Sequence, residues 1–319
     1  MRLIFAGTPA TALPSLRALL DSRHEVVAVL TRADAPAGRG RKLTPSPVKA
    51  LALEAGIPVL TPATLRDPAV QQQLRGLDAD AAAVVAYGKL IPAEALAIPA
   101  HGWVNLHFSL LTALRGAAPA QRAVLSGATG TGMTVFRLDE GLDTGEVITT
   151  RERTIGPYET AGELLDSMAE DGASLLVQAL DAMADGAATF TPQDHDAATR
   201  AAKLSTAEAR IDWTLPAEQV SAHIRGMSPD PGAWTDWQGT RMKVLGLEPV
   251  PEGSAGEQLA PGRLRAAKRH LLVGTATDPL AIALLAPAGK RPMRGADWAR
   301  GANLTDDAAF DSDDQREQR

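Results

Sequence analysis

The chain contains no cysteine. That absence excludes disulfides, thiolate nucleophiles, cysteine-ligated zinc and iron–sulfur clusters, and it leaves no redox chemistry on the protein itself. Long apolar runs are missing as well, since no uninterrupted stretch reaches the roughly 18 residues of a membrane-spanning helix. The opening M-R-L-I-F-A-G-T-P lacks the basic segment, apolar core and cleavage site of a secretory leader, so a cytoplasmic protein without membrane association is expected. The turn after the first apolar run reads G-T-P-A-T-A over residues 7–12, not G-x-G-x-x-G, which gives a dinucleotide cofactor little support. What remains is an ordinary globular composition, 319 residues with 45% hydrophobic and 22% charged, long enough for one large domain and a smaller one. The formal charge of −6 argues against indiscriminate nucleic-acid binding but is silent about local basic patches.

The first half alternates apolar strand patterns with helical ones. Residues 2–7 read as a buried parallel strand and residues 12–20 as a helix with Leu13, Leu16, Leu19 and Leu20 on one face. Further strands are expected at 26–30, 58–60 and 81–87, with helices near 48–55 and 68–77 between them. This alternation implies right-handed crossovers and a mostly parallel sheet, with a site at the carboxyl ends of its strands. Residues 131–138 and 145–155 read as two more strands, and residues 160–184 as a long amphipathic helix. From residue 187 the chain turns polar and aperiodic. Short strand candidates at 233–237, 241–247, 262–266, 271–275 and 280–285 then point to a small β-barrel. The expected division is a catalytic domain over 1–189, a linker over 190–206, an OB-like domain over 207–304 and a disordered acidic tail over 305–319.

Within the stretch G-W-V-N-L-H-F-S-L-L at 102–111, Val104, Leu106 and Phe108 alternate with Asn105, His107 and Ser109. A two-residue period places the apolar set on one face of a strand and the polar set on the other. A carboxamide and an imidazole two positions apart stand about 7 Å apart at their Cα atoms, a spacing that suits gripping one carbonyl. The competing reading makes His107 a hydrogen-bonded core histidine and Asn105 a turn cap. Asp143 lies in the glycine-flanked corner D-E-G-L-D-T-G-E at 139–146, where an aspartate ordinarily bonds its own backbone. Residues 34–49 form an insertion too long and too rich in glycine and proline for a simple connector, with Arg39, Arg41, Lys42 and Lys49 making it an exposed basic loop. Such a loop either wraps a phosphate backbone or is a solvated surface segment. Arg263, Arg265, Lys268, Arg269, Lys290, Arg291, Arg294 and Arg300 give the later part a basic face.

Taken in order, N-L-H-F-S-L-L, R-G-A-A-P and G-L-D-T-G resemble the formyltransferases that use 10-formyltetrahydrofolate. The F-A-G-T-P start, A-P-A-G-R-G-R-K-L loop, S-P-V-K segment, V-V-A-Y-G strand and K-L-S-T-A-E-A-R-I-D-W run look specifically like the methionyl-tRNA formyltransferase family, over roughly residues 1–300. The resemblance implies a Rossmann-like α/β domain followed by an OB-like barrel. It implies Asn105, His107 and Asp143 as the catalytic set, with Ser109, Leu110, Leu111 and Thr112 contacting the folate. On this reading Asn105 and a protonated His107 donate to the oxygen that becomes charged when an amine attacks the formyl carbon, and Asp143 holds the imidazolium and assists proton transfer. It further implies 10-formyltetrahydrofolate as cosubstrate, no metal, and initiator methionyl-tRNA as partner. The tRNA would be reached by Arg39, Arg41 and Lys42, with Arg39 at the family's discriminating arginine, and a monomer is expected. The chain departs from the family pattern at Thr112, Leu114 and Asp230, where proline, an aromatic and tryptophan are usual.

Three other readings share these residues. A formyltransferase acting on a small amine would keep the same trio, but has no need of a basic insertion and a basic second domain. A non-catalytic RNA-binding protein would have no use for the trio, and a formyltetrahydrofolate hydrolase would release formate without an amine.

Overall fold

A computed structural model describes residues 1–37, 42–254, 256 and 258–311. The chain divides into two compact units, the first made of Met1–Pro119, Thr131–Arg153 and Leu165–Ala201. The second contains Ala120–Gly130, Thr154–Leu164 and the chain from residue 202 onward.

The first unit is built on a seven-stranded sheet in the spatial order Val147–Thr154, Gly130–Arg137, Trp103–His107, Ala81–Val85, Arg2–Gly7, Glu25–Leu30 and Val59–Leu60. The five strands from Trp103–His107 to Val59–Leu60 are mutually parallel, and Gly130–Arg137 runs antiparallel beside Trp103–His107. Ala81–Val85 is buried at every position, and Arg2–Gly7 from Leu3 to Gly7, the unbroken apolar run of strands covered on both faces. Helices between strands begin where the sequence supplies caps. Ser46 accepts from Lys49 N ahead of Pro47–Glu54, and Asp67 accepts from Ala69 N ahead of Pro68–Arg75, each with proline at the first helical position. The strand order reverses direction between Arg2–Gly7 and Ala81–Val85, the switch point at which open α/β sheets bind ligands.

The apolar face of Trp103–His107 packs as its period requires. Gly172, in the long helix Ala161–Ala184, lies so close to Leu106 that a Cβ there would come within 2.8 Å of Leu106 Cδ2. The helix therefore rests on this strand through a position that admits no side chain. On the polar side Trp103 is buried, donates from Nε1 to Ala95 O at 2.9 Å and joins Tyr87, Leu65 and Leu74 in one cluster.

The second unit carries a curled antiparallel sheet in the order Trp234–Trp237, Thr240–Glu248, Leu280–Pro287, Leu271–Val273 and Leu264–Ala266, with Met293–Arg294 also on Leu280–Pro287. Register shifts beside Gly246 break the pairing of its two longest strands, and bulges of this kind bend a sheet. Ala217–Gly226 and Gly295–Ala302 are among its helices, and Trp213, Trp234, Ile282, Leu285 and Trp298 belong to its core.

Two expectations change. Residues 305–311, expected to be disordered, are folded: Phe310 is buried and stacks on Trp213 at 5.3 Å, and Asp311 accepts from the backbone of Gln238 and Gly239. One aromatic outweighs the acidic composition around it. Of the segment 190–206 expected as a linker, residues 190–201 are bonded into the first unit, and the rest belongs to the second. Thr191 and Val147 exchange backbone hydrogen bonds, and Arg200–Ala201 runs parallel to Arg115–Gly116 as a two-stranded pair.

Candidate active site

Asn105 and His107 end the strand Trp103–His107, at the rim of a cleft of about 690 Å³ in the first unit. Its lining comes from the carboxyl ends of two adjacent parallel strands and from two loops, Ala86 to Ile91 and Leu138 to Asp143. Asn105 is half-buried, and among the described residues its carboxamide makes no hydrogen bond. His107 is 6% exposed and meets the edge of Phe136 at a centroid distance of 6.3 Å.

The imidazole is fixed by a hydrogen bond at one nitrogen and faces a carboxylate with the other. Nε2 donates to Leu114 O at 3.0 Å, and because a carbonyl can only accept, Nε2 holds the proton of the neutral ring. Nδ1 then faces Asp143 Oδ2 at 3.9 Å, too long for a hydrogen bond and close enough for an ion pair once the ring is charged. Burial pushes the imidazole below its ordinary range, while the Asp143 carboxylate and the Leu114 carbonyl pull the other way. Held below its ordinary range, the ring is expected to be neutral near pH 7, whereas the sequence resemblance implies a protonated His107.

Asp143 reaches this position from a turn. Its backbone is left-handed, with φ of 53°, and its side chain is 14% exposed. Oδ2 accepts from Gly116 N at 2.8 Å, so the turn carboxylate bonds a distant main chain and not its own. Gly116 has φ of 126°, and a Cβ there would stand 2.7 Å from Ala201 O, a position only glycine can occupy. Asp139 shapes the same turn by accepting from Gly141 N at 3.0 Å and Thr144 Oγ1 at 2.5 Å. Gln193 Nε2 donates to Asp143 O and Gly145 O, and its Oε1 accepts from buried Arg115.

The sequence-derived residues thus fall into separate groups. Asn105, His107 and Asp143 share the cleft. Ser109 is buried and donates to Ala113 O at 2.7 Å, Leu111 N donates to Thr134 Oγ1, and Leu110 packs near Gly132, so these three residues bond and pack into the protein around the strand end. Thr112 follows them on the same segment, and none of residues 109–112 is among the cleft-lining set. Arg39 and Arg41 lie outside the described residues. Lys42 opens the exposed strand Lys42–Thr44, paired antiparallel with Ala35–Ala37, whereas Lys49 is neutralised by Asp34 at 2.7 Å.

The sequence reading missed the second cleft wall. Tyr87 is buried, with its hydroxyl unpartnered among the described residues and its phenol pushed up to about 12 by burial. Leu90 and Leu142 project exposed at the cleft, 73% and 59% accessible. The strand end at 81–87 was legible, but nothing in the pattern of the following loop marked it as lining. Leu114 and Gly116 escaped because both act through main-chain atoms. Among the described residues no group of three or more potential metal ligands occurs, and no helix is long and apolar enough to cross a membrane.

Residues 1–180 match the family model described as "Formyl transferase" and residues 203–303 the one described as "Formyl transferase, C-terminal domain". The chain is 53% identical over 313 residues to the methionyl-tRNA formyltransferase of Frankia alni, covering 96% of this chain and 93% of that one. It is 50% identical over 307 residues to that of Streptomyces coelicolor, covering 96% and 98%. In fold it is similar to the N-formyltransferase from Helicobacter canadensis, solved with folinic acid and dTDP-3-aminofucose, at TM-score 0.64 and 16% identity, covering 88% of this chain and 97% of that one. With both halves of the pattern matched and half the residues shared along nearly the whole length, the chain belongs to the methionyl-tRNA formyltransferase family of formyl transferases.

Proposed function

We propose that this chain transfers the formyl group of 10-formyltetrahydrofolate to the α-amine of methionyl initiator tRNA, acting as a monomer in the cytoplasm. The observation that carries the reading is the convergence of Asn105, His107 and Asp143 at one cleft, in a chain half identical to methionyl-tRNA formyltransferases. The cleft suits a flat heteroaromatic donor. Leu90 and Leu142 supply apolar surface and the loops 86–91 and 138–143 offer backbone donors and acceptors. Residues 109–112 would brace the strand end that bears the catalytic side chains. When bound, the donor supplies a one-carbon unit at the formyl oxidation level.

The protein's residues then act in sequence. As the amine nitrogen bonds to the formyl carbon, the carbonyl electron pair moves to oxygen, and the Asn105 carboxamide donates to it there. Neutral His107, its proton held on Nε2 by Leu114, takes the amine's proton at Nδ1. The imidazolium so formed lies beside Asp143, which stabilises it and sets its orientation. Return of that proton to the departing nitrogen, as its bond to the formyl carbon breaks, restores the neutral ring. For the nucleic acid, Arg39, Arg41 and Lys42 would reach the acceptor end. Exposed Lys268, Arg269, Lys290 and Arg291 of the second unit would bind phosphates.

The test is incubation with 10-formyltetrahydrofolate and either charged initiator or charged elongator methionine tRNA, following formyl-methionine. Formylation of the initiator alone is expected. Equal formylation of both would overturn the tRNA assignment, and formate release without any acceptor would make the chain a hydrolase.

A further inference from the structure

The turn that carries Asp143 is tied down by a side chain from far along the sequence. Gln193 is 8% exposed. Its Nε2 donates to Gly145 O at 2.7 Å and to Asp143 O at 3.0 Å, while its Oε1 accepts from Arg115 Nη2 at 2.7 Å and Nε at 3.1 Å. Carbonyls cannot donate and a guanidinium cannot accept, so the amide's orientation is unambiguous. Arg115 is itself buried and steadied by His195, whose Nδ1 accepts from Nη2 at 3.1 Å. The residue after Arg115 is Gly116, whose N–H holds the Asp143 carboxylate. The amide therefore joins both ends of one arrangement: the carbonyls of the turn bearing the carboxylate, and the side chain adjacent to the backbone donor that grips it.

We infer that Gln193 is a positioning residue for formyl transfer, clamping the turn so that the Asp143 carboxylate stays beside His107. The inference rests on the catalytic reading of Asp143 given above. No other side chain of this size fulfils both duties. A carboxylate would pair with Arg115 at least as well but would face two carbonyls without a proton to donate, and an apolar isostere would leave Arg115 buried and unpaired.

That asymmetry makes Gln193→Glu the decisive variant. It keeps the Arg115 contact, and it releases the turn. A carboxylate displaced by about 1 Å from its partner costs about 10²-fold in rate. The expected result for the full chain is therefore a fall in kcat of about 10²-fold, with KM for 10-formyltetrahydrofolate and for tRNA within about threefold, and a somewhat lower thermal midpoint because the carbonyls of Asp143 and Gly145 lose their donor. The His107 ring, followed by NMR titration, should titrate lower than in the parent, because a withdrawn carboxylate no longer favours its charged form. Gln193→Met, which also leaves Arg115 unpaired, is expected to lose more stability than Gln193→Glu for a similar loss of rate, which separates clamping from simple packing. Parent-like turnover and His107 titration in Gln193→Glu would overturn the inference. Asp143→Asn, assayed alongside, distinguishes the two readings. If it turns over at the parent rate the catalytic reading fails, and if it is crippled while Gln193→Glu is not, only the clamp fails.

Discussion

The strand that ends at His107 and the turn that carries Asp143 deliver side chains to the same cleft by opposite means. In the strand, Asn105 and His107 are positioned by a ladder of main-chain hydrogen bonds to Ala81–Val85 and Gly130–Arg137, and by Leu106 seated against Gly172 on the far face. The Asn105 carboxamide makes no hydrogen bond among the described residues, so it is not needed to keep the strand in place. In the turn, the backbone of Asp143 is left-handed and its place depends on Gly116, Asp139 and Gln193. Asn105 should therefore be separable from stability, whereas changes around the turn should disturb rate and stability together.

The largest effect is expected on the strand. Removing one preorganised donor costs about 10²–10³-fold in turnover, so Asn105→Ala should lose that much kcat while its denaturant midpoint stays with the parent. A matching loss of stability would show that the strand is not the rigid partner. Gly116→Ala probes the turn. It must move a backbone whose Cβ would stand 2.7 Å from Ala201 O. Such strain costs about 1–3 kcal/mol, read by urea unfolding, and the shifted N–H should lower kcat by about 10²-fold. Parent-like kinetics in a destabilised Gly116→Ala would detach the carboxylate from that N–H.

A smaller change is expected from Asp139→Ala, which frees Gly141 N and Thr144 Oγ1 at an exposed corner. Hydrogen bonds of this kind contribute about 1 kcal/mol each, so a modest loss of stability and about a tenfold fall in kcat should appear together. The pH profile sharpens the comparison further. If His107 acts in its neutral form, as proposed, its position below the ordinary imidazole range, caused by burial, means that kcat/KM should stay level down to about pH 6.5 and fall only below it. Asp143 favours the charged ring, and residual activity in Asp143→Asn should therefore fall away at still lower pH. Burial also lowers His24 and His223, so the unfolded chain binds protons that the folded one does not. Thermal stability should then decline as pH drops below about 6.5, the value of an unperturbed histidine.

Much of this difference between strand and turn was readable in advance. A two-residue period identified Asn105 and His107 because a strand converts spacing directly into facing, and unbroken apolar runs identified the parallel sheet around it. The corner at 139–146 announced a tight turn through its glycines, but no local pattern could say what its aspartate faces, since Gly116 and Gln193 are 27 and 50 residues away. Gln193 was hidden in a stretch whose polarity reads as a linker, although that polarity is what ties the turn to Arg115. The same blindness applied to Phe310, a single apolar residue in an acidic run, and to Lys49, whose charge is cancelled by Asp34. The cleft loops at 86–91 and 138–142 left no trace because they contribute chiefly main chain and exposed leucines.

Leu114 contributes to the site a carbonyl oxygen, which is common to all twenty amino acids. Mutation can exchange what hangs from such a position without touching what it offers the imidazole. The bond that sets the ring's tautomer is thus independent of which side chain stands at residue 114.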